Sequence, residues 1–271
     1  MKKIPAIIPA RGGSKRLLRK NILPFCGYPL IAWSIVQCKH CKYIDDVWVT
    51  TDDDEIAEIA EKWGAKVIRR PDWPNPDELS AALPIQHAIG EIRNYYDFDI
   101  HTTSLSTDPV WHPWDWDREF ERWFEIEKKN PNIRYLDACC KQREVNVFRI
   151  LYDDYVIPIV ASKNYEYVTM GPSRPIIATR KTHVKTKEGL EAGDMFTTNT
   201  VEGFAQHQGF LKGLLNYYLC EWYQGTSIDD QDTFELNEIM MERYVLKGRD
   251  ITIYQEYAEK RDEKNTDDNL R

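Results

Sequence analysis

The sequence predicts an α/β fold, a mainly parallel sheet covered by helices on both faces, and three observations lead to it. Between Ile4 and Leu105, short apolar runs that read as buried strands alternate with segments of helical period. Successive strand-helix-strand units of this kind cross over right-handedly, so helices cover both faces of a parallel sheet. The first strand also feeds a glycine pair and a run of cations, and ligands of such sheets bind at the carboxyl ends of strands.

Each element follows in order. Ile4 to Ala10 is short, apolar and bounded by Gly12-Gly13, so it reads as a buried strand. Pro29 to Lys39 has apolar residues at helical spacing, with Pro29 suited to a first turn. Asp46 to Thr51 is a second strand, and Asp52, Asp53 and Asp54 crowd the start of the next helix, where carboxylates cap free N-H groups. Ile56, Ile59, Ala60 and Trp63 form that helix's stripe and Gly64 ends it. Lys66 to Arg69 is the third strand, Ser80 to Asn94 the third helix, Ile100 to Leu105 the fourth strand, and Asp115 to Lys129 a helix carrying Trp116, Phe120, Trp123 and Phe124.

After that helix the rhythm changes. Tyr135 to Lys141, Val145 to Tyr152 and Tyr155 to Val160 read as strands joined by short polar turns, hence a β-rich lobe. Ser162 to Asn199 has no clean period and reads as a long excursion of loops or an arm. Asn216 to Tyr223 reads as a late strand returning to the sheet, Asp232 to Leu246 as a closing helix, and the segment from Glu256 as too charged for core. The expected division is a main domain of residues 1–130 and 200–255, an inserted lobe of 131–199, and a charged tail of 256–271.

Composition narrows the function classes. With 30% charged and 42% apolar residues the chain has ordinary globular composition. No apolar stretch approaches the roughly 18 residues of a membrane-spanning helix, and the chain reads as soluble and cytoplasmic. Six scattered cysteines, with no second pair to complete Cys38-x-x-Cys41, read as reduced thiols.

The chemistry concentrates in two places. Ile8 to Asn21 (I-P-A-R-G-G-S-K-R-L-L-R-K-N) carries five positive charges in a chain of formal net charge −8. A local cationic loop on an acidic protein implies a small, highly charged anion, triphosphate first among them, where a nucleic acid calls for a broader basic face. Backbone N-H groups of Gly12, Gly13 and Ser14 can face that anion, and Arg11, Lys15, Arg19 and Lys20 can neutralise it. The spacing matches neither a Walker A loop nor G-x-G-x-x-G. The second place is Ser227 to Leu236, where Asp229 and Asp230 stand as candidate ligands for Mg²⁺, which binds few protein oxygens and completes its shell with water and phosphate. A cationic loop plus a metal carboxylate is what nucleotidyl transfer needs.

I-P-A-R-G-G-S-K-x-x-x-R-K-N resembles the signature of the cytidylyltransferases that activate acidic sugars, the CMP-N-acetylneuraminate and CMP-KDO synthetase family. Further similar blocks follow in order: Val49 to Asp52 with Glu55 to Ala57 and Gly64-Ala65; Arg70-Pro71 with Asp77 and His87-Ala88; Thr103-Ser104; and Ser227 to Glu238. The resemblance implies a Rossmann-like sheet with an inserted β-rich dimerisation lobe, hence a homodimer, and CMP transfer from CTP to an acidic keto sugar of the sialic-acid or KDO kind. It further implies that Arg11, Ser14, Lys20 and Asn21 contact the CTP phosphates, with Lys20 helping pyrophosphate depart. Arg70 and Ser80 would lie at the cytidine end, and Asp229 would be the metal carboxylate. The chain departs from the family pattern at Ser227, where a first metal aspartate is usual, at His101-Thr102, and at Leu105-Ser106-Thr107. The family's acceptor-holding stretch is not recognisable; Asn199 to Phe204 is a remnant of it, and Arg174, Arg180 and Lys181 are candidate acceptor contacts. A phosphate or phosphonate acceptor, a non-catalytic nucleotide-binding paralogue and a nucleic-acid-binding module are the alternatives.

Outside these blocks, His87 reads as structural, His101 as a strand-end residue on the ligand side, and the aromatic run Trp111, Trp114 and Trp116 as packing against the following helix. No Ser-His-Asp or Cys-His arrangement points to a covalent mechanism.

Overall fold

The computed structural model describes residues 3–73, 82–129, 131, 135–141, 148–152, 155–158, 168–169, 197–200 and 216–268. In chain order the strands are β1 (Pro5–Pro9), β2 (Pro24–Phe25), β3 (Tyr28–Pro29), β4 (Asp46–Thr51), β5 (Lys66–Arg69), β6 (Ile100–Thr103), β7 (Tyr135–Lys141), β8 (Phe148–Tyr152), β9 (Tyr155–Pro158), β10 (Val168–Thr169), β11 (Thr197–Thr200) and β12 (Asn216–Cys220). The helices are α1 (Leu30–Lys39), α2 (Asp54–Lys62), α3 (Ala82–Arg93), α4 (Asp115–Lys129), α5 (Gln231–Met240), which continues as a π-helical turn over Met241–Leu246, and α6 (Ile253–Asp268).

The main sheet runs β5, β4, β1, β6, β11, β7, with β12 also paired to β7 and β10 to the end of β7. β1, β4, β5 and β6 are parallel. β11 is antiparallel to both neighbours, and β12 is parallel to β7, so the expected mainly parallel sheet is present. Register fixes where function can sit: Pro9 pairs with Thr50 and Thr51 with Arg69. The chain therefore leaves β1, β4 and β5 at one edge, through Arg11, Asp52 and Arg70.

The strand sequences bury both faces, as parallel strands between helices must. Ala6, Ile8, Val47 and Val49 pack with Ile31 and Ile35 of α1, Ile56 and Ala60 of α2, and Trp116 and Phe120 of α4. Ile7, Trp48 and Ile68 point the other way, against Ile85, Ala88, Ile89 and Ile92 of α3. α1 is buried from Leu30 to Cys38, because its second face, through Leu30, Trp33 and Val36, meets Phe234, Met241 and Val245 of the C-terminal segment. A helix covered on both sides is largely apolar all round, and of the polar residues buried in α1, Gln37 donates from Nε2 to the Pro109 carbonyl and Tyr254 Oη.

Two expected boundaries change. Tyr135–Lys141 is not in an inserted lobe; it is strand β7 of the main sheet, held by β11 and β12. An apolar run advertises a strand but not which sheet it joins, since the partners lie about 60 to 80 residues away in sequence and alternation carries no address. Of the strands read as a lobe, β8 and β9 do form a separate two-stranded sheet. The segment from Glu256 forms most of helix α6, which is anchored by the buried Ile253 and Tyr254; none of residues 256–264 is itself buried, as their charge leads one to expect. Its charge has a structural partner: Arg261 donates from Nη1 to Asp117 Oδ2 (2.8 Å) and to the His40 carbonyl (2.9 Å). The buried Asp117 also accepts from Lys42 N (2.8 Å) and Tyr257 Oη (3.1 Å).

Several single residues resolve plainly. His101 is the second residue of β6, buried and edge-on to Phe98, near the amino end of its strand and away from the ligand edge. His87 packs edge-on against Trp73. Trp111 and Trp116 are core, while Trp114 stacks on His112 at 4.6 Å. Cys38 and Cys41 are free and buried, and burial pushes both thiols up, so they are inert. Among the described residues no helix is long and apolar enough to cross a membrane.

The Asp117 cluster makes a prediction. Arg261→Ala leaves a buried carboxylate short of its charged partner and should cost about 3 kcal/mol of stability. Urea unfolding checks it; an unchanged midpoint would mean α6 contributes nothing to the core.

Candidate functional site

The loop from Ala10 to Ile22 leaves β1 at the common carboxyl edge, and its shape is set by hydrogen bonds to neighbouring elements. Ala10 N donates to the Thr50 carbonyl (3.0 Å), Gly12 N to Asp52 Oδ1 (2.9 Å) and Ser14 N to the Gly12 carbonyl (3.0 Å). Asn21 closes the loop: its Nδ2 donates to the Arg11 carbonyl (2.9 Å), and its Oδ1 accepts from Ser106 Oγ (2.6 Å). Asn21 is buried, and it staples the two ends of the loop to the segment after β6. An amide can staple a loop or contact a phosphate, and sequence alone does not tell the two apart.

Arg11, Gly13 and Lys15 are exposed on the loop, with Gly12 and Ser14 half-buried. Arg70, at the end of β5, donates to the Thr50 carbonyl (2.8 Å) and Thr50 Oγ1 (3.3 Å). Burial lowers its pKa to about 10, with Asp52 opposing the fall and Arg11 adding to it. Arg11, Asp52 and Arg70 therefore share one corner, two cations to one carboxylate, which favours an anion there. Ser80 lies outside the described residues.

The acidic block arrives from the other end of the chain. Ile228 is fully buried and donates its N-H to the Thr107 carbonyl (2.8 Å), docking the segment beside the connection after β6. Lys20 donates from Nζ to the Ile228 carbonyl and stands 3.8 Å from Asp229 Oδ1. Arg16 Nη2 donates to the same Asp229 oxygen at 2.9 Å. The two halves expected from sequence thus meet.

Asp229 and Asp230 part company. Asp230 is the N-cap of α5: its Oδ1 accepts from Thr233 N (2.9 Å) and Thr233 Oγ1 (2.6 Å), and these bonds hold its carboxyl below the usual range. Its Oδ1 is committed to the helix cap, and of the two aspartates it is Asp229 that faces the loop. Asp229 fits: a half-buried carboxylate facing the cationic loop suits a cation that takes one or two carboxylates and fills its shell with water and phosphate. Among the described residues no group of three or more His, Cys, Asp or Glu converges as an all-protein metal cage.

The sequence reads Asp53 and Asp54 as helix-capping residues and Asp52 as both a capping residue and part of a family-like block. Asp53 does cap α2, accepting from Ile56 N (3.0 Å), but Asp52 reaches Gly12 and Asp54 reaches Arg69 (2.6 Å). The available signal was three carboxylates at a strand end beside a loop of five cations. Ser106 was missed because its partner Asn21 is 85 residues away.

The two glycines predict opposite outcomes. A Cβ on Gly12 would fall 2.9 Å from Asp53 Cβ and closer still to its carboxylate, whereas one on Gly13 meets nothing within 4 Å. Gly12→Ala should therefore destabilise the fold by about 1 to 3 kcal/mol, as overpacking does, with Gly13→Ala near neutral. Equal urea midpoints for the two variants would refute this packing of the loop on α2.

Residues 5–83 match the family model described as Cytidylyltransferase. The chain is 36% identical over 125 residues to pseudaminic acid cytidylyltransferase of Campylobacter jejuni subsp. jejuni strain 81-176, covering 45% of this chain and 54% of that protein. It is 42% identical over 108 residues to N-acylneuraminate cytidylyltransferase B of Danio rerio, covering 40% of this chain and 25% of that one. The chain thus spans about half the length of the first relative and a quarter of the second. In fold it is similar to CMP:2-keto-3-deoxy-manno-octonic acid synthetase complexed with CTP, at a TM-score of 0.62 and 16% identity over 90% of this chain and 100% of that one. The resemblance carried by the first loop is therefore borne out: the chain is similar in sequence to the acidic-sugar cytidylyltransferases, and over 90% of its length it shares the fold of one such synthetase.

Proposed function

We propose that the chain transfers CMP from CTP to a hydroxyl of an acidic keto sugar, of the sialic-acid or KDO kind, releasing pyrophosphate. The observation that carries this reading is the meeting of Lys20 with Ile228 and Asp229 at the carboxyl edge of the sheet, which joins the cationic loop to a carboxylate. The names of the relatives support the donor and the acidic class of acceptor.

In this reading the backbone N-H of Gly13 and the hydroxyl of Ser14, with Arg11, Lys15 and Arg70, hold the triphosphate, while Lys20 faces the leaving pyrophosphate. The acceptor oxygen forms a bond to the α-phosphorus as the bond from that phosphorus to the β-phosphate bridge breaks. Charge grows on the departing oxygens, and fixed cations at that point lower the barrier more than they aid binding. Mg²⁺, held by Asp229, would supply further neutralisation of phosphate charge. A homodimer and a cytoplasmic setting belong to the same reading.

The test is pyrophosphate release from CTP and Mg²⁺ with a panel of eight- and nine-carbon keto acids, phosphates and phosphonates. Lys20→Ala should lower kcat by roughly 100-fold or more, the scale of losing one transition-state contact. Activity that survives this change would remove Lys20 from the mechanism, and release with phosphates alone would reassign the acceptor. CTP binding without release in any arm would make the chain a nucleotide-binding paralogue.

The aspartates separate in the same assay. Asp229→Asn should cost about 100-fold, whereas Asp230→Asn, which keeps a good helix cap, should stay within about threefold. The reverse order would transfer the metal role to Asp230.

A further inference from the structure

Arg19 is a loop cation met by two carboxylates. Arg19 donates from Nη1 and Nη2 to the two carboxylate oxygens of Asp53, the second at 3.1 Å, and from Nη2 to Glu55. This is a forked pair, the geometry in which guanidinium holds carboxylate most firmly, and it sets two negative charges against one positive. Both partners are partly shielded, with side-chain exposures of 31% for Arg19 and 18% for Asp53.

Three further observations give the pair a direction. Arg19 sits in the left-handed region, φ 57° and ψ 25°, a conformation that a non-glycine residue keeps only where its surroundings impose it. That turn sends adjacent side chains to different partners, Arg19 to the start of α2 and Lys20 to Ile228 and Asp229. Asp53 is also the cap of α2 and the wall against which Gly12 packs, while Asp52 takes the Gly12 N-H. The start of α2 thus grips the loop at both ends, at Gly12 and at Arg19.

We propose that Arg19 is a positioning residue: by clamping the loop to Asp53 and Glu55 it aims Lys20 and the Gly12-Ser14 backbone, and it makes no contact with the phosphates itself. A loop held in its binding shape before the ligand arrives avoids the ordering cost at binding. The inference rests on the triphosphate reading only for its second test.

The first test needs no nucleotide. In the ligand-free full chain, Arg19→Ala and Glu55→Ala should each speed hydrogen exchange at the hydrogen-bonded amides of Gly12, Ile22 and Leu23 by about fivefold or more, since local opening governs such exchange. Unchanged exchange in both variants overturns the clamp. The second test is the sign of the Glu55→Ala effect on CTP affinity. A clamp predicts weaker binding, by about three- to tenfold, the size of a lost preorganising contact. A phosphate ligand predicts equal or tighter binding, because a competing carboxylate has gone, and it also predicts rescue by Arg19→Lys, whose ammonium cannot reproduce the fork. Either result overturns the proposal. If the unaltered chain fails to bind CTP, the function proposed above falls, while the exchange measurement still decides the role of Arg19.

Discussion

The site depends on a balance of charge across a gap in sequence. Five cations between Arg11 and Lys20 repel one another, and a loop so charged keeps a shape only if carboxylates from elsewhere offset them. Asp53 and Glu55 answer Arg19, Asp52 answers the Gly12 backbone and the Arg11-Arg70 corner, and Asp229 answers Arg16 and Lys20. The neutralisation is unequal. Arg19 meets both Asp53 and Glu55, whereas Asp52 stands beside both Arg11 and Arg70.

The scaffold makes this balance possible by bringing strand ends into register. β1, β4 and β5 finish together, so residues about 20 and 60 positions apart in sequence meet at one corner. Behind them α1 is buried on both sides, which couples the sheet to the C-terminal helices and sets the height at which the acidic block meets the loop.

What could be read from sequence follows the range of the interaction concerned. β4, β5 and α4 have the limits their residue patterns dictate, because period, capping and glycine stops are local. β7 reads as part of a lobe because its membership depends on β11 and β12, partners that no nearby residue announces. The charge of α6 suggests a tail because the buried Asp117 that receives Arg261 lies 144 residues away. The same division runs through the site. Glycines and cations in one short loop are legible, as is Asp229 in its block. The tie between Asn21 and Ser106 is not, because an amide's type does not say which distant group it will bond.

The bond from Lys20 to the Ile228 carbonyl joins residues 208 positions apart. At a synthesis rate of roughly 5 to 20 residues per second, the ribosome takes on the order of 10 to 40 seconds to pass from one to the other. The strands whose carboxyl ends carry the loop, β1, β4, β5 and β6, are all made early, within the first 103 residues. A nascent chain can therefore present its basic loop well before the residues that complete the site exist. From residue 55 onward in that interval Asp52, Asp53 and Glu55 are already synthesised, so the emerging loop has carboxylates near it in sequence before its distant partner arrives.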